Sequence, residues 1–462
     1  MRSGALPGLG SGWLWLAFGC VHALLAILNI PSVSDAYGDV RTVYPFWVEQ
    51  GLEGEWLGID VGWVYPLLAW APILIANVLG PDALPLVWML MVTALDAVAF
   101  AMLLRVPRGP LLAWTWLGLQ VALGPVALAR IDTVAVAVCI IGLVVLRQGR
   151  TGWAAAAFTA AAWMKVWPGV LFLALLIARR QRLRILAAGA LVSGAVLAVA
   201  ALLGSQHALS FLLEQEDRGL QIEAVSATPF LWLAALTDDA YVYFDRQIYT
   251  FQVDSNGVGR VAELATPVLI ATVLALCVLG VIAVRRSHGR EAIVWLALAM
   301  VAAMIVTNKV GSPQFVLWLT VPALLLAEAG ARRHWIGVGA VGLVALLTQV
   351  QFPWTYDWLV VADPLAVLLL TLRNLLHVGI LVGAVWMLVR AARRGPYALS
   401  VDERREQVAH ADGLDQERVV AEPALEHDRL GAGGAGGDAG GQPLLVGDRE
   451  EPVAGDADDE RR

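Results

Sequence analysis

Long apolar runs separated by short polar breaks fill the first four hundred residues. A bilayer core takes about 20 apolar residues per helix, fewer where a segment is short or re-entrant. On that rule spans are predicted near residues 13–30, 84–104, 111–128, 132–146, 152–164, 168–178, 184–204, 265–284, 291–307, 314–330, 336–350 and 368–390. The pair at 152–164 and 168–178 is too short to cross upright. Between the first two spans, Trp63 to Gly80 is apolar but interrupted by Pro66 and Pro72. The run from Trp13 to Ile30 exceeds the ~7–15 residues of a signal-peptide core and lacks a small-residue cleavage site, so a retained first helix is expected. The fold class predicted is all-α: a polytopic membrane protein with about 12 transmembrane helices.

The arginines decide what residues 63–80 do. Loops on the cytoplasmic side collect Arg and Lys. If 63–80 crosses the membrane, the arginine clusters fall on both sides. If it lies along the outer surface as an interfacial helix, sixteen arginines share one side: Arg105/Arg108, Arg147/Arg150, Arg179/Arg180/Arg182/Arg184, Arg285/Arg286/Arg290, Arg332/Arg333 and Arg390/Arg393/Arg394. The second arrangement predicts both termini in the cytoplasm of a plasma (inner) membrane protein. It also predicts two large extracytoplasmic loops, at about 31–81 and 205–265. These hold Asp35, Asp39, Glu49, Glu53, Glu55 and Asp60, then Glu214, Glu216, Asp217 and Glu223.

Composition adds a boundary. The chain is 59% apolar and 15% charged, against roughly 25% charged for a soluble domain. Residues 1–395 form the membrane domain. The segment 396–462 is Gly-rich and acidic, and it has too few apolar residues to fold alone, so a disordered cytoplasmic tail is expected. From residue 401 onward 17 acidic and 7 basic residues give −10 of the −7 total, leaving the body at +3. The acidic balance therefore belongs to the tail, and no basic aromatic patch points to nucleic acid. Cys20, Cys139 and Cys277 stand singly in apolar runs, without disulfide or metal spacing.

The candidate chemistry gathers in the predicted outer loops. Asp35 and Asp39, four apart, lie just beyond the first helix with Arg41, Tyr37 and Tyr44. They read either as a solvated loop start or as a general base placed to take a proton from an attacking hydroxyl. The chain has thirty arginines but only two lysines, Lys165 and Lys309, both at predicted outer helix ends. Each reads as a snorkelling anchor or as a point charge for a phosphate. Arg373 and His377, one turn apart near the outer end of the last helix, read in the same two ways. Arg130 and Asp132, flanking a short turn, and Arg218 to Glu223 in the second loop read as ordinary surface groups. There is no Walker A sequence and no nucleotide-binding Gly motif, so an activated substrate is expected from the lipid phase.

In their order and predicted topology, four motifs resemble the GT-C type of membrane glycosyltransferase, and more narrowly glycosyltransferase family 87, the polyprenyl-phosphate-mannose-dependent α-mannosyltransferases. They are Gly38-Asp39-Val40-Arg41-Thr42-Val43-Tyr44, Trp63-Val64-Tyr65-Pro66-Leu67-Leu68-Ala69, Lys165-Val166-Trp167-Pro168 and Lys309-Val310-Gly311-Ser312-Pro313-Gln314-Phe315. The likeness spans roughly residues 13–395. It implies a hexosyltransferase that moves a sugar, usually mannose, from a polyprenyl-phosphate donor to a hydroxyl of a cell-envelope glycolipid or polysaccharide, with inversion. No metal or other cofactor is implied. Asp39 matches the position of the family's catalytic base, with Asp35 its rival. Lys165, Lys309, Arg218, Arg373 and His377 are then candidates for the donor phosphate, and Arg41, Tyr44, Tyr65 and Gln314 for substrate contacts. The chain departs from many relatives in having Tyr65-Pro66-Leu67 where they show a second proline. A transporter or flippase of a lipid-linked glycan is the rival reading from a different class, and an inactive scaffold of the same fold is the blandest.

Overall fold

The computed structural model describes residues 9–29, 35–212, 218–246, 248–287 and 290–393. Ser34, Glu214, Glu216, Asp217, Arg394 and the tail 396–462 lie outside the described residues. All twelve apolar runs are helical. They form α1 (Leu9–Leu28), α4 (Leu84–Leu103), α5 (Gly109–Leu123), α6 (Ile131–Arg147), α7 (Thr151–Ala162) and α8 (Pro168–Ala178). The series continues with α9 (Arg182–Leu202), α11 (Val258–Ser287), α12 (Arg290–Val306), α13 (Thr320–Ala329), α14 (Arg332–Gln349) and α16 (Pro364–Arg393). Among the described residues, six helical segments are long and apolar enough to cross a membrane: Leu84–Leu103, Gly109–Leu128, Arg182–Leu202, Val258–Arg286, Arg332–Trp354 and Pro364–Arg393. Prolines at the first turns of α4, α5 and α8 mark where the chain enters the helix, since proline's fixed φ suits a position whose N–H has no intrahelical partner.

Burial sorts the helices. Residues of α6, α12 and α13 are buried on nearly every face, and their side chains form one continuous apolar core with those of α4, α5 and α7. In contrast α4, α9 and α11 turn large apolar side chains outward, including Leu86, Leu90, Leu183, Leu191, Leu202, Leu264, Leu274 and Val278. Water does not tolerate apolar faces that long, whereas lipid matches them. The chain is a membrane-embedded helical protein.

Connections between helices come in two kinds. Residues 104–108, 148–150, 179–181 and 330–331 are short, and the first, second and fourth are drawn together at Glu328: Arg108 donates to its carbonyl, and Arg147 pairs with its carboxylate. The alternate connections, two of them long, interlock at the opposite end. Ser205 Oγ donates to the Gly58 carbonyl at 2.8 Å, and the Trp63 N–H donates to Ser210 Oγ at 2.8 Å. The Leu68 N–H donates to the Trp163 carbonyl at 2.9 Å, and the Gln221 N–H to the Lys309 carbonyl at 3.1 Å.

Both long connections carry structure of their own. The first holds α2 (Tyr44–Leu52), then a segment in which Pro66 is extended, residues 67–69 are 3-10 helix, and α3 (Trp70–Ala76) follows. A short helix was predicted there. The second departs from an all-helical expectation. It contains α10 (Thr228–Leu236) and an antiparallel sheet in the order β1-β3-β2, made of β1 (Leu220–Gln221), β2 (Ala240–Asp245) and β3 (Thr250–Ser255). Tyr241 to Phe244, with Thr250, Phe251 and Val253, are aromatic or β-branched, the side chains that fit a pleated, half-buried surface. The sheet's apolar face joins α10, α15 (Tyr356–Val360) and the start of α16 in a second core around Leu220, Leu231, Val253, Leu359 and Leu370.

Candidate active site

Two ion-pair clusters lie where the long connections interlock. The first is built on the start of α6. Arg130 is extended just before the helix and Asp132 sits in its first turn, so one turn of chain aims a cation and an anion into the same region. Arg130 Nε lies 3.3 Å from Asp39 Oδ2. Arg130 also donates to the carbonyls of Ala36 and Ala129, which ties it to the chain leading into Asp39. Asp132 Oδ2 lies 3.6 Å from Lys165 Nζ, in the turn between α7 and α8. That ammonium sits 3.8 Å from the centre of the Tyr65 ring, a cation–π contact. The hydrogen bond from Leu68 to Trp163 holds the Tyr65 segment against the Lys165 turn.

Electrostatics bind these groups into one unit. Burial works against a charged Lys165, but the Asp132, Tyr65 and Asp39 charges outweigh it and hold the amine above its ordinary range. Burial pushes the Tyr44 phenol well up, and Asp39 adds to the effect, so Tyr44 stays neutral. Its hydroxyl accepts the Ile131 N–H at 3.2 Å, and its ring packs 5.0 Å from Trp88. Tyr44 therefore lies in the core beneath the cluster and steadies the start of α6.

The two candidate bases differ in what they have left to offer. Asp35 uses both oxygens: Oδ1 accepts the Tyr37 N–H at 2.9 Å, and Oδ2 pairs with Arg41. Arg41 also donates to the Asn29 carbonyl and lies over the Tyr37 ring, so it fastens the loop to the end of α1. Asp39 is 28% exposed, and among the described residues Arg130 is its one ion-pair partner. Its other oxygen faces no donor there.

The second cluster is closed. Glu223, just past β1, pairs with Arg373 of α16 at 3.4 Å, and Arg373 Nη2 donates to the Glu223 carbonyl at 2.6 Å. Arg373 Nε donates to Asn374 Oδ1 at 3.1 Å, and the Tyr356 hydroxyl donates to Glu223 Oε2 at 3.4 Å. Burial pushes the Glu223 carboxyl up to about 7, against the opposing pull of Arg373, Tyr356 and, from the first cluster, Arg130. Gly311 packs so tightly on the Glu223 backbone that an added Cβ would stand 2.2 Å from its carbonyl carbon. His377 is buried one turn beyond Arg373 and borders a small cavity with Glu223, Asn374 and Ser312. Lys309 and Gln314 are buried beside this cluster, Lys309 through its carbonyl to Gln221 and Gln314 in the helical turn from Pro313. Arg218 is half-buried at the approach to β1.

The fold thus brings Asp39, Lys165, Tyr44 and Tyr65 into one cluster, and Arg373 and His377 into the other, with Lys309 and Gln314 beside it. Arg130 and Asp132, expected as surface groups, are buried, because the turn that carries them is covered by the first long connection. Tyr356, Asn374 and Trp318, whose indole donates to Asp132 Oδ1, carried no signal beyond their residue types. No protein-family model matches the chain, and no curated protein matches it either.

Proposed function

We propose that this chain is a membrane glycosyltransferase that moves a sugar, mannose in the simplest case, from a polyprenyl phosphate to a hydroxyl of a cell-envelope glycolipid or glycan. One observation carries the reading. A carboxylate with an unengaged oxygen, Asp39, and the ammonium of Lys165, whose side chain is 12% exposed, belong to one electrostatic cluster at the end of an apolar bundle. Proton removal and stabilisation of a departing phosphate call for that pair of groups. Asp39 takes the proton of the acceptor hydroxyl while its oxygen attacks the anomeric carbon. The bond from that carbon to the phosphate oxygen breaks on the opposite face, its electron pair leaves with the phosphate, and Lys165 meets the growing charge. Attack opposite the leaving group inverts the anomeric centre.

The arginine distribution supports a topology of twelve spans with both ends in the cytoplasm, which sets this site at the outer face of the inner membrane. Residues 63–80 then lie along that surface. The test is transfer of label from polyprenyl-phosphate-mannose in membranes holding matched amounts of wild type or Asp39→Asn. A new labelled product from wild type and none from the variant supports the reading. Full activity in Asp39→Asn refutes Asp39 as base and moves the role to Asp35.

A second reading, transport of a lipid-linked glycan, draws on a different feature. His22 of α1 lies 3.2 Å from Asp96 of α4, and Gln120 of α5 donates to the same Asp96 oxygen at 2.8 Å. Ionisable residues buried within apolar helices commonly serve transport. Release of free polyprenyl phosphate separates the two, since a flippase moves its substrate intact.

A further inference from the structure

We infer that Asp132 is the positioning residue for Lys165: the Asp132 carboxylate, clamped by the Trp318 indole, fixes where the ammonium stands. The inference rests on the reading of Lys165 as the cation that meets the donor phosphate.

Asp132 is fully buried, so no acceptor hydroxyl reaches it, and a role as base is closed to it. Its two oxygens have separate partners. Oδ1 accepts the Trp318 Nε1–H at 2.6 Å. Oδ2 makes no hydrogen bond and faces Lys165 Nζ at 3.6 Å. The indole that clamps Oδ1 is itself held by two stacked rings. Trp167 stacks on it at 5.8 Å and 13°, and Phe315 at 3.9 Å and 26°. Trp167 stands two residues beyond Lys165, so the same stack holds the turn that carries the lysine.

A lysine side chain has four rotatable carbons and is a poor positioner by itself. Here the ammonium is caught between a carboxylate and the face of the Tyr65 ring. An ammonium has three N–H donors. The carboxylate and the ring do not use all three, and the lysine side chain keeps 12% exposure through which an anion can approach. Asp132 also keeps the amine protonated after burial has removed most of its water. Removing the carboxylate therefore has two consequences: the amine loses its fixed place, and it gives up its proton more readily.

The chain has two lysines, which allows a direct test. In a Lys309→Arg background, competitive acetylation of the purified protein across pH, read by mass spectrometry of the Lys165 peptide, reports that one side-chain amine. Asp132→Asn is expected to move the labelling midpoint of Lys165 to lower pH and to raise labelling near neutrality severalfold. Trp318→Phe keeps the stack but removes the indole donor, and it is expected to shift the midpoint in the same direction by less. In the transfer assay, with Lys309 intact, Asp132→Asn should raise the KM for the polyprenyl-phosphate donor about tenfold, leave the acceptor KM in place, and be partly rescued by Asp132→Glu. An unchanged Lys165 midpoint in both Asp132→Asn and Trp318→Phe overturns the inference. If Asp132→Asn does not fold, an unchanged midpoint in Trp318→Phe overturns it alone. A shifted midpoint in a protein that transfers no sugar upholds the positioning role and refutes the transferase reading instead.

Discussion

The Asp39–Arg130 and Asp132–Lys165 pairs leave Asp39 28% and Lys165 12% exposed, whereas Glu223 and Arg373 of the second cluster are closed at 1% and 3%. Both clusters pair carboxylates with cations, and both lie where the long connections interlock. Their partners differ. In the first, each charge faces one opposite charge, and Asp39 keeps an oxygen in reserve. In the second, Arg373 spends its donors on Glu223, the Glu223 carbonyl and Asn374. Asn374 then donates to Thr228, which extends the network to α10. An open cluster suits chemistry, and a closed one suits fastening. Glu223 pins the sheet-bearing connection to α16, and in this arrangement Arg373 commits four of its five N–H groups to partners inside the protein.

The largest expected effect comes from the open cluster. Asp39→Asn removes the base and should lower the transfer rate by about 10²–10⁴-fold, the usual contribution of a general base, with little change in thermal stability because the group is partly exposed. Asp35→Asn should instead retain transfer within an order of magnitude, since both Asp35 oxygens serve the loop. Rates of both variants, measured at matched membrane abundance, break the comparison if the order reverses.

In the closed cluster the expected effect is on stability. Arg373→Leu leaves a buried Glu223 without its cation, a loss of about 3–5 kcal/mol for a broken buried pair. The double change Arg373→Leu with Glu223→Gln should recover part of it. Thermal unfolding in detergent, followed by loss of the monodisperse peak, measures both. Equal damage from the single and double variants would show that packing, not charge, holds that connection.

The same carboxyl gives a smaller, pH-dependent effect. Its folded value of about 7 lies above the ordinary 4.5, so the folded state binds the proton more tightly than the unfolded chain. Stability from this group is complete below about 4.5 and is lost as pH rises through about 7. Thermal midpoints should therefore decline between pH 5 and pH 8, and Glu223→Gln should flatten that decline. A midpoint rising across this range in wild type but not in Glu223→Gln reverses the sign and refutes the assignment.

Much of the helical layout is legible in the sequence because lipid imposes one rule on every span: about 20 apolar residues, with charge kept to the ends. The short runs at 152–164 and 168–178 were legible as helices for the same reason, and the structure gives them as Thr151–Ala162 and Pro168–Ala178. The sheet was harder to read. Its strands lie in a loop judged by its charges, and the alternation of Tyr241, Val242 and Tyr243 is too short to stand out beside such long apolar runs. At the candidate site, Asp39 and Lys165 could be found because a charge in an apolar chain is conspicuous. The commitment of Arg373 to Glu223 could not, since the two are 150 residues apart and nothing local links them. Gly311 shows the same limit. The Lys309-Val310-Gly311-Ser312-Pro313 run stands out in the sequence, but the reason for its glycine is a close approach to the Glu223 backbone, visible only once the loops are assembled.

The smallest expected effect belongs to the opposite end of the bundle, and it tests whether burial sets the ranking. Arg333 Nε lies 2.9 Å from Glu291 Oε1, a shorter pair than Arg373–Glu223. Distance alone would rank it stronger. Yet Arg333 is 42% and Glu291 28% exposed, so water and salt screen the attraction, and its loss leaves no charge stranded in an apolar interior. Pairs of this kind contribute about 0–1 kcal/mol. Glu291→Gln should therefore move the thermal midpoint far less than Arg373→Leu, and 0.5 M salt, about three times physiological ionic strength, should erase what difference it makes. A shift in Glu291→Gln that matches Arg373→Leu and persists in salt would mean that pair geometry, rather than burial, divides the charges of this molecule into those that fasten and those that decorate.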